Sequence, residues 1–192
     1  MKVFGLTGGV GMGKSAAARL LAERGIAVVD TDVVAREIVE PGQPALAELA
    51  AEFGGAVLGP DGRLLRDKLA VMVFSDQAAR SRLEAILHPK IRAEWAGRVE
   101  LWRAEDRPLA VVVIPLLFET NAAAHFDATV CVACTARTQE ERLRTRGWSL
   151  PQIEDRRRAQ WPVEKKMALS DYVVWSEGSL ELLDEQLVRI VK

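Results

Sequence analysis

Apolar positions along the chain follow two alternating regimes. Short, nearly continuous apolar runs occur at 2–6, 26–29, 109–114, 129–134 and 171–175. Four of them are rich in Val or Ile, the composition of strands buried on both faces. Between the runs, apolar residues recur at helical spacing. Ile91, Trp95, Val99 and Trp102 are separated by four, four and three positions, which lays one apolar stripe on a helix beginning near Pro89. Ser149-Leu150-Pro151-Gln152 has capping-box spacing with proline in the first turn, so a helix is expected to start there. A last helix is expected over 180–191, where Leu and Val repeat on one face. Strands alternating with helices predict an α/β fold: three layers, α/β/α, around a parallel sheet of five strands.

One connection is too long for a simple crossover. The second run ends near Val29 and the third begins near Leu109. Pro41-Gly42-Gln43-Pro44, Gly54-Gly55 and Gly59-Pro60-Asp61-Gly62 punctuate the gap, and helical patterns fill the rest. The expectation is one domain, 1–192, carrying an inserted helical lobe over 33–105. Inserted lobes on such sheets usually hold a second substrate. No internal repeat or low-complexity segment is visible.

Composition narrows the class. The chain has 192 residues, is 49% apolar and carries a formal net charge of −1, which indicates an ordered, soluble globular protein. Balanced charge argues against non-specific nucleic-acid binding. No apolar run approaches membrane-spanning length, and the first strand begins at once, leaving no room for a signal peptide; a cytoplasmic location is expected. Cys131 and Cys134 have C-x-x-C spacing but lie in a strand, with no second Cys/His pair to complete a zinc site. They are expected to be reduced core cysteines.

The candidate chemistry begins at Gly8-Gly9-Val10-Gly11-Met12-Gly13-Lys14-Ser15, the complete phosphate-loop pattern G-x-x-x-x-G-K-[ST], between a strand and a helix. Glycines let the backbone wrap a polyphosphate and aim its N–H groups at it from the positive end of a helix. Lys14 is expected to reach the β/γ-phosphates and the Ser15 hydroxyl to bind Mg²⁺. This motif identifies a nucleoside triphosphate as ligand.

Further residues bear on what happens to the phosphate. The second run ends in Asp30-Thr31-Asp32, at the strand end that faces the ligand in a doubly wound sheet. One aspartate serves as a helix cap, leaving Asp32 as candidate general base. The third run ends in Pro115 where many phosphate-loop hydrolases carry a Mg²⁺-binding Asp, and Asn-Lys-x-Asp of the GTPase switches is absent. Both features favour a small-molecule kinase. Glu119 points into the crevice or is a solvated loop acid. Residues 137–166 hold nine Lys/Arg against five Asp/Glu and form a candidate lid. Among Arg142, Arg144, Arg146, Arg156, Arg157 and Arg158, Arg142 and Arg146 share a helix face and are preferred as phosphate ligands; the rest are partly a charged outer surface. His88-Pro89 stands at the expected start of the Trp-striped helix, where a ring could be presented to a pocket.

Several of these patterns coincide in one family. Residues 5–15, 30–36, 82–92, 115–119, 139–146, 156–160 and 171–174 resemble the dephospho-coenzyme A kinases, in order and over nearly the whole chain. The resemblance implies the phosphate-loop core of nucleoside monophosphate kinases, with a helical acceptor-binding lobe and an arginine-bearing lid. It implies ATP-dependent phosphorylation of the ribose 3′-hydroxyl of dephospho-coenzyme A. By matching position, Asp32 is the general base, acting with Lys14 and Arg142. The nucleotide contacts are Gly8 to Ala16 with Arg142 and Arg146, and the acceptor lies along Asp32, Arg82, His88, Leu117 and Glu119. Mg²⁺ is the expected cofactor, on Ser15, and the chain is expected to act as a monomer or small homo-oligomer. Two departures stand out: Met12 replaces a customary Ser, and Trp175-Ser176 stands where Asp-Asn is frequent near the adenine. The alternatives are another small-molecule kinase, of nucleoside or shikimate type, or an ATP-binding switch without an acceptor.

Overall fold

In the computed structural model every residue is described except Ser75, and of Phe74 only the backbone. The first apolar run forms β1 (Lys2–Thr7), and the glycine-rich loop leads into α1 (Lys14–Glu23), β2 (Ala27–Asp30) and α2 (Thr31–Glu37). The long gap holds α3 (Pro44–Phe53), α4 (Arg66–Phe74) and α5 (Gln77–Ala104) before β3 (Leu109–Val113). Then follow β4 (Ala128–Ala133), α6 (Ala136–Thr145), α7 (Leu150–Arg158), α8 (Val163–Leu169), β5 (Tyr172–Trp175) and α9 (Leu180–Ile190). All five apolar runs are strands. Their ends move by a residue: β2 takes in Asp30, β3 stops before Ile114 and β4 before Cys134.

The strands form one parallel sheet in the order β2-β3-β1-β4-β5. Leu6 of β1 pairs with Val113, and Thr7 with Cys131, so the phosphate loop leaves from the middle of the sheet. Every residue of β3 is buried. Because alternate side chains point to opposite faces, helices must cover both. One layer of the core joins Phe4, Leu6, Val111, Val113, Val130, Val132 and Val174 of the sheet to Ala17 and Leu21 of α1 and Leu183 and Leu187 of α9. β5 is an edge strand. Gln186 covers part of that edge, accepting from the Trp175 N–H and donating to its carbonyl, both at 2.9 Å.

The chain divides into two compact units, Met1–Asp30 with Leu101–Lys192, and Thr31–Glu100. The second has its own core of Val39, Ala45, Leu49, Phe53, Val57, Leu69 and Ala79. In it the Gly59–Gly62 turn lets Leu58 and Leu64 form a single antiparallel bridge. α3 and α5 are joined at the surface by Arg82–Glu52 at 2.6 Å and Lys90–Glu48 at 2.9 Å.

One expected boundary is corrected. The Trp-striped helix does not begin near Pro89: α5 starts at Gln77, and Pro89 lies inside it. Proline lacks the N–H that would reach the Ala85 carbonyl, so one rung of the helix is missing. Strong helix formers on both sides carry α5 through the gap. The stripe itself is present, with Trp95 and Val99 buried and Ile91 and Trp102 half-buried.

Candidate active site

The loop from Gly8 to Gly13 leaves β1 and turns into α1 through backbone conformations that favour glycine: φ is 142° at Gly8, 73° at Gly11 and 95° at Gly13. Space is equally restrictive. A Cβ on Gly8 would collide with the Val132 carbonyl of β4, and one on Gly13 would lie 2.8 Å from Ser176 Cβ. Lys14 folds across the loop, its Nζ donating to the Gly8 and Gly9 carbonyls at 2.9 Å each. Ser15 is exposed in the first turn of α1, with Ala16 beside it. Met12 is buried, so its side chain is a packing element and its backbone belongs to the loop.

α6 packs directly against this loop. A Cβ on Gly11 would meet Leu143 at 2.8 Å, and one on Gly9 would approach the Gln139 amide at 3.3 Å. Half-buried Arg142, on the same face of α6, donates through Nη1 to Ser176 Oγ at 2.8 Å and through Nη2 to the Ser176 carbonyl at 2.5 Å. Ser176 Oγ in turn donates to the Met12 carbonyl at 2.8 Å. Ser176 therefore links the arginine to the phosphate loop, which gives the Trp175-Ser176 departure a structural purpose.

Beside the loop lies a buried ion pair that sequence reading missed. Lys166, fully buried on α8, donates to Glu119 Oε1 at 2.7 Å and to the Pro115 carbonyl at 2.6 Å. Thr7, the last residue of β1, donates its hydroxyl to the same carbonyl at 3.2 Å, so the cation sits at the carboxyl end of β1 and β3. Glu119 Oε1 also accepts from the Trp161 N–H at 2.8 Å, while its buried Oε2 has no hydrogen-bond partner among the described residues. Glu119 is thus no solvated loop acid, because a buried ammonium neutralises it. Helical spacing held the clue: Val163, Lys166 and Met167 fall on one face of α8, and Lys165 lies outside, its Nζ 3.2 Å from the centroid of the Trp161 ring.

The remaining candidates are distributed as follows. Leu117 is fully buried beneath β1, where a Cβ on Gly5 would come within 2.5 Å of its Cδ1. Asp30 ends β2 opposite Val113 and immediately precedes α2, and Asp32 stands exposed in the first turn of that helix. Arg82 and His88 are exposed on α5. Arg146 does not share the α6 face as a helical residue: the helix stops at Thr145 and Arg146 is its exposed C-cap. Of the other arginines, Arg144 pairs with Glu140 at 3.4 Å, Arg158 with Glu154 at 3.3 Å, and Arg156 lies 5.9 Å from the centroid of the Trp148 ring. Arg157 turns inward toward Gln139. The loop, Arg142, Leu117 and Glu119 share one unit; Asp32, Arg82 and His88 belong to the other. Both cysteines are free and buried, and burial pushes the Cys131 thiol up to about 11.

A parallel sheet in this order, with a Gly-Lys-Ser loop between its first strand and first helix, defines the class: a P-loop kinase fold. Shikimate kinase from Acinetobacter baumannii has this fold, with a TM-score of 0.55 at 14% identity over 100% of this chain and 93% of that one. The family model of dephospho-CoA kinase matches residues 2–181, and the chain belongs to that family. Dephospho-CoA kinases from Anaeromyxobacter dehalogenans and Bdellovibrio bacteriovorus are 45% and 42% identical over the whole chain, which covers 91% and 96% of their lengths. The solved structure of TT1252 from Thermus thermophilus superimposes with a TM-score of 0.87 at 36% identity, covering 99% of this chain and 95% of that one.

Proposed function

We propose that the chain transfers the γ-phosphate of ATP to the ribose 3′-hydroxyl of dephospho-coenzyme A, the last step of coenzyme A biosynthesis. The family match across residues 2–181 carries this reading. The triphosphate lies on the loop amides from Gly8 to Ala16, at the positive end of α1. Lys14 exchanges the Gly8 and Gly9 carbonyls for β/γ-phosphate oxygens. Arg142, already fixed by Ser176, offers guanidinium N–H groups to the transferring phosphate with Arg146 close in sequence. Asp32 takes the proton from the attacking hydroxyl. Arg82, His88, Leu117 and Glu119 bind the acceptor, Leu117 through its backbone because its side chain is buried.

The residues present fit Mg²⁺. Ser15 supplies an exposed hydroxyl, and no cluster of three or more His, Cys, Asp or Glu is found among the described residues. That suits an ion held by one hydroxyl, phosphate oxygens and water. When bound, it neutralises charge on the β- and γ-phosphates. Among the described residues no helix is long and apolar enough to cross a membrane. The proposed activity is assigned to the cytoplasm and to a monomer or small homo-oligomer.

The test is transfer of labelled phosphate from ATP to dephospho-coenzyme A, with the 3′ position of the product established by NMR. ADP release stimulated by shikimate or a nucleoside instead would overturn the assignment of acceptor. Asp32→Asn is expected to lower kcat by about 10²–10⁴-fold while ATP binding persists; near-normal turnover would remove Asp32 from the base role.

A further inference from the structure

Val10 sits in the phosphate loop, and both of its backbone groups are held by side chains distant in sequence. Its N–H donates to Gln160 Oε1 at 3.0 Å, and its carbonyl accepts from Gln139 Nε2 at 2.7 Å. The other end of the Gln139 amide accepts from Arg157 Nε at 2.7 Å, and Arg157 Nη2 donates to the Ala136 carbonyl at 2.9 Å. Gln139 is only 4% exposed. The direction of this relay follows from chemistry. A guanidinium can only donate, so Gln139 must turn its oxygen to Arg157 and its NH₂ to Val10. Gln139 and Gln160 thus grip one peptide residue from both sides, while Leu143 packs against Gly11 and Ser176, held by Arg142, packs against Gly13.

We propose that Gln139, Arg157 and Gln160 are positioning residues for ATP, acting through Val10 to fix the phosphate loop without touching the nucleotide. The inference rests on the reading that this loop binds ATP. A loop whose amides must converge on phosphate oxygens loses affinity when its backbone is displaced by a fraction of an ångström. A neutral amide is required at position 139 because it must accept at one end and donate at the other. Neither carboxylate nor methionine does both.

Gln139→Glu separates the two ends. The carboxylate keeps Arg157, now with a charge-assisted bond, but turns an oxygen toward the Val10 carbonyl where a donor stood. The Kd of a fluorescent ATP analogue and the KM for ATP are expected to rise about tenfold, as for a lost buried hydrogen bond that leaves its acceptor unpaired. The KM for dephospho-coenzyme A should stay within about twofold, and the unfolding midpoint should fall only slightly, the stronger Arg157 bond offsetting part of the lost bond to Val10. Unchanged ATP affinity, an equal rise for both substrates, or a lowered midpoint without an ATP effect would each overturn the proposal. Should Gln139→Glu not fold, Arg157→Met decides by the same criteria, with an expected loss of ATP affinity of about threefold as the amide is freed. Analogue binding is read without the acceptor, so failure to phosphorylate dephospho-coenzyme A would sink the proposed activity and leave this comparison intact.

Discussion

Replacing Lys166 by methionine tests whether the buried ion pair is a structural necessity. Methionine has nearly the same length and fills the same space, but it carries no donor and no charge. In the native protein the ammonium holds Glu119 Oε1 at 2.7 Å and the Pro115 carbonyl at 2.6 Å, with Lys166 fully buried and the Glu119 side chain 13% exposed. After the substitution, among the described residues, Glu119 keeps the Trp161 N–H and the Pro115 carbonyl keeps Thr7. Removing one partner of a buried pair costs about 3–5 kcal/mol, because the other charge is left uncompensated. For a chain of this length each kcal/mol lowers Tm by about 2–4 °C, so the expected fall is about 6–20 °C.

The neighbouring lysine is an internal control. Lys165 is exposed and rests on the Trp161 ring, so Lys165→Met should cost no more than about 1 kcal/mol. A further variant removes both charges. Lys166→Met combined with Glu119→Gln keeps an acceptor for the Trp161 N–H and should recover much of the loss, since a neutral buried pair escapes the desolvation penalty. The assay is urea unfolding followed by tryptophan fluorescence and circular dichroism on all four proteins. A Lys166→Met variant within 1 kcal/mol of wild type, or no more affected than Lys165→Met, would refute the reasoning.

Two other expectations concern titrating groups. The Asp171 carboxylate accepts from the Thr129 hydroxyl at 2.8 Å and the Thr129 N–H at 2.7 Å, and these bonds hold its pKa below the ordinary 3.8. A depressed folded-state pKa stabilises above the unfolded value, so the stability lost in Asp171→Asn should be largest near neutrality and shrink as pH falls below about 4; a gap that widens on acidification contradicts this. Burial raises the thiols of Cys131, to about 11, and Cys134. Native protein at pH 8 should therefore resist iodoacetamide and take up two equivalents only in denaturant, as mass spectrometry would show.

Much of the fold was legible because two-sided burial leaves a plain trace. Val111-Val112-Val113 is apolar throughout since β3 is covered on both faces, and the same holds for most of β4. The phosphate loop was legible for a different reason. Its glycines answer to steric demands at Gly8, Gly11 and Gly13 that no other residue meets, so the requirement is written in residue identity. Pro89 misled for the converse reason: proline is common at helix starts, and only the surrounding helix formers reveal that the helix continues through it.

Polar residues working at long range left no such trace. Gln139 and Gln160 act through single hydrogen bonds to a loop 129 and 150 positions away in sequence, Arg157 acts on it only through Gln139, and any of the three would look at home on a solvated helix. Lys166 is the sharper case. It follows Lys165 directly and shares its chemistry, yet one side chain lies exposed over the half-buried Trp161 ring and the other is sealed against Glu119. The difference is a rotation of about 100° along α8, which puts Lys166 on the face carrying Val163 and Met167. Composition and charge counting treat the two lysines alike, whereas periodicity separates them. The same rule, applied to α6, places Gln139, Arg142 and Leu143 on the face that meets the phosphate loop and leaves Arg144 outside with Glu140. In a basic segment of this kind, which charges can reach a phosphate is decided by helical face rather than by how many arginines the segment holds.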